Sequence, residues 1–140
     1  KFLNFSSHVD AVVDFYGPTD FLMMDICGSK MVHDDINSPE SRLIGGQIQK
    51  NKDKAKAANP VTYISKNTPP FLIIHGMNDL TVPYCQSKIL HNILKEKGVK
   101  SELITIIDGG HGPNVQVPEI YNKMISFFKI QLNSTINNDQ

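Results

Sequence analysis

An excess of charge of either sign is missing from this sequence. Fourteen lysines and arginines stand against fourteen aspartates and glutamates in 140 residues. The densest basic stretch, KNKDKAK at 50–56, is short and interrupted by an acid. The electrostatic footprint of a nucleic-acid binder is therefore lacking. Long apolar runs are missing too: nothing approaches the ~20 residues that span a bilayer, so no membrane span is expected. The first residues, KFLNFSSHVD, carry neither the apolar stretch nor the small-residue cleavage site of a signal peptide. A leader removed further upstream is compatible with this, and the compartment, cytoplasmic or secreted, stays open. Cysteine is scarce: Cys27 and Cys85 are far apart and match no metal spacing, which predicts two unpaired, mostly buried thiols. There is no internal repeat and no low-complexity segment. The triplets NFS at Asn4 and NST at Asn133 mean nothing without a secretory context.

What is present is one domain's length of chain with 40% hydrophobic residues, enough for a real core. VDAVVDFY (9–16) reads as a buried strand stopping at Gly17-Pro18, and FLIIHG (71–76) as a strand covered on both faces. Pro83, Cys85, Ile89, Leu90, Ile93 and Leu94 mark an amphipathic helix closed by Gly98. SELITIID (101–108) is the next strand, followed by the turn GGHG and a second helix from about Pro118, with Ile120, Tyr121, Met124, Ile125 and Phe128 on one stripe. Apolar strands alternating with helices predict an α/β fold, a mostly parallel open sheet flanked by helices. Residues 1–132 form this unit, with 19–67 an irregular, cap-like excursion, and 133–140 is a tail expected to fray.

In such a sheet the reactive groups gather beyond the carboxyl ends of the strands. Asp79 and His111 each follow one of these strands by a few residues. A carboxylate that accepts the Nδ1 proton of a histidine fixes its tautomer and stabilises the imidazolium formed when the ring takes a nucleophile's proton. Taken singly, an Asp before a helix is usually a cap and a His among glycines a turn residue; the two together, a whole αβ unit apart, are the candidate site. Asp14 and Asp20 flank the end of the first strand and could offer another acid, though an ordinary turn carboxylate is favoured for both. His75 reads as a packed, hydrogen-bonded histidine. Phe21, Leu22 and Met23 are either an apolar pocket wall or simply packed on the core.

The stretches AVVDFYGPTDF (11–21), SPESRLIGG (38–46), AANPVTYISKNTPPFLIIHGMNDLTVP (57–83) and GGHG (109–112) resemble the C-terminal part of an α/β-hydrolase. The likeness is to the esterase and lipase group that includes hormone-sensitive-lipase-like, acetyl-xylan and feruloyl esterases and prolyl-oligopeptidase-like hydrolases. By that resemblance Asp79 is the triad acid and His111 the general base, in the chain order expected for this fold. The resemblance also calls for a nucleophilic serine in a G-x-S-x-G elbow upstream of AVVDFYG, and no serine from Ser6 to Ser134 stands in such a motif.

The expectation is a segment that begins after the nucleophile of a serine carboxylic-ester hydrolase, inactive by itself, whose parent cleaves small acyl esters, among them acetyl or feruloyl groups on polysaccharide. No cofactor or metal is called for. A sheet cut in this way would leave a long apolar strand edge that seeks a partner, either a second copy or the missing N-terminal half. The rivals are a prolyl-oligopeptidase-like peptidase, sharing the same acid and histidine, and a non-catalytic α/β binding module.

Overall fold

Three runs of β-branched and aromatic residues form the strands β1 (Val12–Phe15), β2 (Phe71–Gly76) and β3 (Ser101–Ile106) of a computed structural model that describes residues 4–112 and 114–136. They build one three-stranded sheet in the order β1-β2-β3, and both pairings are parallel. Parallel neighbours need crossovers, and helical residues cover both faces of the sheet. Leu72 and Ile74 pack with Val115, Ile120 and Phe127 on one side, whereas Ile73 packs with Leu90, Leu94 and Val99 on the other. This two-sided cover is why FLII is apolar without alternation. Each such side chain contributes about 1.5–3 kcal/mol by leaving water.

The helices are α1 (Pro39–Ile44), α2 (Lys52–Ala58), α3 (Cys85–Glu96) and α4 (Pro118–Ile136). Gly98, at φ 73°, ends α3 as expected. The stripe expected on α4 is rotated: Ile120 and Phe127 are buried, but Tyr121 and Ile125 are 40% and 46% exposed. Helical spacing reveals that an apolar face exists, and the sheet it meets selects its centre. Residues 133–136, read from the sequence as the start of a tail, continue α4, whose last turns hold the buried residues Phe127 and Gln131. Residues 137–140 lie outside the described ones.

Residues 19–67 fold into short pieces with a core of their own, formed by Phe21, Ile44, Ile48 and Ala55. Phe21 is thus packed inside the excursion and is not an exposed pocket wall. The motif SPESRLIGG becomes α1 for local reasons. Ser38 caps its N-terminus by accepting from Ser41 N–H, Pro39 occupies the first turn, and Gly45 closes it at φ 77°.

Two devices fasten the excursion to α3. Buried Gln86 accepts the N–H groups of Thr19 and Asp20 (2.8 and 2.6 Å) and donates to Asp20 O (3.1 Å). Cys27 and Cys85 form a disulfide with their Cα atoms 6.1 Å apart, which corrects the expectation of two unpaired thiols. The physical reason is tertiary: the cysteines are 58 residues apart in sequence, and only the docking of the excursion on the start of α3 brings them within reach.

The outer edge of β1 has no partner strand among the described residues. At four residues it is shorter than the long apolar edge expected.

Candidate active site

Tyr16, Asp79 and His111 follow β1, β2 and β3, so three adjacent parallel strands deliver them to one rim. Gly76 makes the crossing from β2 into the acid's loop possible. A Cβ on Gly76 would sit 2.2 Å from Gly109 O and 2.3 Å from its carbonyl carbon, so the turn before the histidine lies directly against it. Asn78 N–H donates to Gly109 O at 2.9 Å and joins the two loops.

Asp79 is buried, and its carboxylate is fully used. Oδ1 accepts from the backbone N–H groups of Thr81 (2.8 Å) and Val82 (2.9 Å). Oδ2 lies 2.8 Å from His111 Nδ1 and 3.2 Å from His75 Nε2. A carboxylate oxygen only accepts, so His111 carries its proton on Nδ1 and leaves the lone pair on Nε2. The Asp79 side chain has no exposure while that of His111 is 39% exposed. The carboxylate is therefore sheltered and the imidazole faces solvent. Burial of one partner removes the screening that weakens surface pairs.

His75 is a packed, hydrogen-bonded histidine, as expected. Its Nδ1 accepts from Ser87 Oγ (2.6 Å) and its Nε2–H points at Val82 O (2.9 Å) as well as at Asp79. Burial lowers its pKa, an effect opposed by the Val82 carbonyl and by Asp79. It serves Asp79 as a neutral donor. Asp20 behaves as the turn carboxylate expected, accepting from Leu22 N–H and from Asn59 Nδ2. Asp14 differs from that expectation. It lies within β1, burial raises its pKa against the opposing Gly17 N–H, and Oδ2 has no hydrogen-bond partner among the described residues. Neither acid contacts His111.

Sequence reasoning missed Tyr16. Its ring centroid is 4.5 Å from that of His111, and its hydroxyl accepts from Gln116 Nε2. Tyr16 also has φ 43°, a left-handed conformation that bulky residues rarely adopt and that clusters at functional sites. The sequence signal was its place between the end of β1 and Gly17-Pro18. Among the described residues no cluster of three or more His, Cys, Asp or Glu side chains is arranged to hold a metal ion, and no helix is long and apolar enough to cross a membrane. A cavity of about 580 Å³ between α4 and the beginnings of β2 and β3, lined by Phe71, Ser101, Phe127 and Ile130, lies at the far end of the strands. Six residues of β-strand put it about 20 Å from the acid and histidine.

A half-exposed imidazole backed by a buried carboxylate can take a proton at Nε2 and return it, given a nucleophile in reach. The chain is similar to several known proteins. The BD-FAE family model matches residues 1–94, a span that includes Asp79. Over 101 residues the chain is 32% identical to LipM of Mycobacterium tuberculosis, a probable carboxylic ester hydrolase, covering 69% of this chain and 23% of LipM. A truncated form of a carbohydrate esterase from gut microbiota superposes with a TM-score of 0.86 at 38% identity, covering 94% of this chain and 45% of that one. A bifunctional GH43-CE protein of Bacteroides eggerthii gives a TM-score of 0.82 at 41% identity, covering 94% of this chain and 18% of that one. The chain thus spans less than half the length of each of these relatives.

Proposed function

From the premise that this chain belongs to the BD-FAE family of esterase- and lipase-like α/β-hydrolases, we propose that it is the acid-and-histidine part of a serine carboxylic-ester hydrolase. The observation that carries the reading is the 2.8 Å contact between buried Asp79 Oδ2 and the Nδ1 of half-exposed His111. In the reaction, a serine hydroxyl attacks the ester carbonyl and passes its proton to His111 Nε2. Asp79 stabilises the imidazolium through the Nδ1–H bond. The tetrahedral intermediate then expels the alcohol, which takes the proton from Nε2, and leaves an acyl-serine. Water repeats the sequence and releases the acid.

The serine belongs to a segment of the protein outside these 140 residues. Among the described residues no side chain hydrogen-bonds His111 Nε2, and no serine stands in a G-x-S-x-G motif. The substrate class is acyl esters of carbohydrate, acetyl or feruloyl, a reading supported by the 38% identity to a carbohydrate esterase.

The test is p-nitrophenyl acetate hydrolysis by the 140-residue chain beside the full-length product of its reading frame, each with a His111→Ala control. Activity is expected only in the full-length protein and is expected to vanish with the substitution. His111-dependent turnover by the 140 residues alone would place the nucleophile on this chain. Full-length activity indifferent to His111 would overturn the assignment of the base.

A further inference from the structure

The buried polar groups of residues 25–41 converge on the loop that carries Asp79. His33 is 1% exposed, and its Nε2 lies 2.9 Å from Thr81 O. Ser29 Oγ reaches Thr81 O and Leu80 O (3.1 and 3.3 Å), and Lys30 N–H donates to Leu80 O (3.2 Å). Behind His33, Nδ1 is 3.1 Å from Glu40 Oε2 on α1, and the His33 carbonyl accepts from Ser38 Oγ (2.6 Å).

Serine, histidine and glutamate in that order look like a second catalytic set, and the hydrogen bonding argues against it. A carbonyl oxygen offers no proton, so Nε2 must donate to Thr81 O and has no lone pair left for Ser29. The ring is also sealed from any substrate.

What the contacts do instead follows from the peptide units they address. The carbonyl of Leu80 and the N–H of Thr81 belong to one peptide, as do the carbonyl of Thr81 and the N–H of Val82. On the far side both N–H groups donate to Asp79 Oδ1 (2.8 and 2.9 Å). Each peptide is therefore held at its oxygen by the excursion and at its nitrogen by the acid, and hydrogen bonds in such a chain polarise and align one another. The chain runs from His33 through the 81–82 peptide and Asp79 to His111.

We propose that His33 is a positioning residue that acts through the Thr81–Val82 peptide to orient Asp79 against His111. The proposal rests on the functional reading above for its kinetic readout alone.

The experiment measures kcat and KM for p-nitrophenyl acetate, and the low-field proton resonance of His111 Nδ1–H, in the full-length product of the reading frame. His33→Leu removes the donor, His33→Gln keeps an N–H near the Nε2 position, and Ser29→Ala removes the second donor from a partly exposed site. His33→Leu is expected to lower kcat roughly tenfold with KM within about twofold and to shift the resonance. Glutamine is expected to restore both, and Ser29→Ala to move both in the same direction by less.

Unchanged kcat and resonance in His33→Leu would overturn the proposal. So would equal losses in leucine and glutamine variants that track melting temperature, since that is a packing role. If His33→Leu does not fold, His33→Gln and Ser29→Ala decide: a displaced resonance in Ser29→Ala with wild-type values in His33→Gln is expected, and no displacement in Ser29→Ala overturns it. A resonance that responds to His33 in a protein whose activity ignores His111→Ala would sink the functional reading and leave the positioning intact.

Discussion

His75 and His111 share one acceptor: Oδ2 of Asp79 lies 3.2 Å from the Nε2 of the first and 2.8 Å from the Nδ1 of the second. The two rings differ in burial. His75 is fully enclosed, and enclosure disfavours its charged form; His111 opens to solvent. One carboxylate thus meets a fully buried ring that donates to it and a second ring that opens to solvent.

Asp79→Asn should retain the loop's shape and lose the chemistry. The amide can donate where the carboxylate accepts, so it favours the wrong His111 tautomer. Activity of the full-length protein should fall roughly a thousandfold or more, mostly in kcat, while the melting temperature moves far less. Steady-state kinetics beside a thermal scan is the check, and a loss below tenfold would contradict the role given to Asp79.

Acid should weaken the fold through His75. Its folded pKa lies below the ordinary 6.5, so above that pH folded and unfolded chains are both neutral there and the contribution is intact. As pH falls below 6.5 the unfolded chain takes up a proton that the folded one refuses. Stability then drops by at most about 1.4 kcal/mol per pH unit from this group. Urea unfolding at pH 7.5, 6.5 and 5.5 should show a steeper fall for the native chain than for His75→Phe; equal slopes would assign the acid sensitivity elsewhere.

Gly76→Ala should damage stability and the site together. The added methyl would meet Gly109 backbone atoms at 2.2 and 2.3 Å, and backbone cannot swing aside as a flexible side chain can. A loss of about 3 kcal/mol is expected, with the turn before His111 displaced. Denaturant midpoints and a shifted His111 Nδ1–H resonance would report it. Gly110→Ala, with no atom within 4 Å of its added Cβ, is the control and should be mild.

Reducing the Cys27–Cys85 bond should loosen the excursion first. The cross-link closes a loop of 58 residues' separation, which corresponds to about 4 kcal/mol of unfolded-state entropy. A Cys27→Ser/Cys85→Ser variant should unfold at lower urea, and hydrogen exchange should rise in residues 19–67 before the sheet. Unaltered midpoints with and without reductant would show that the disulfide contributes nothing to stability.

Much of the architecture was legible because its causes are local. The apolar run of β2, the Gly98 stop of α3 and the turn glycines around His111 each express a backbone or solvation preference within a few residues. Asp79 and His111 could be named for the same reason: each follows a recognisable strand, and parallel sheets collect such positions on one rim. The chain alone thus determined the three strands, the helices α3 and α4 and the absence of a charge surplus, and it placed Asp79 and His111 just beyond their strands.

Tertiary structure decided what depends on distant segments meeting. It joined Cys27 to Cys85, turned the inner face of α4 from Tyr121 and Ile125 toward Phe127, brought Tyr16 against His111, and buried His33 behind the carbonyls of the acid's loop. None of these has a local signature, because hydrogen bonds, disulfides and ring contacts act over a few ångströms of space and are indifferent to how many residues of chain lie between.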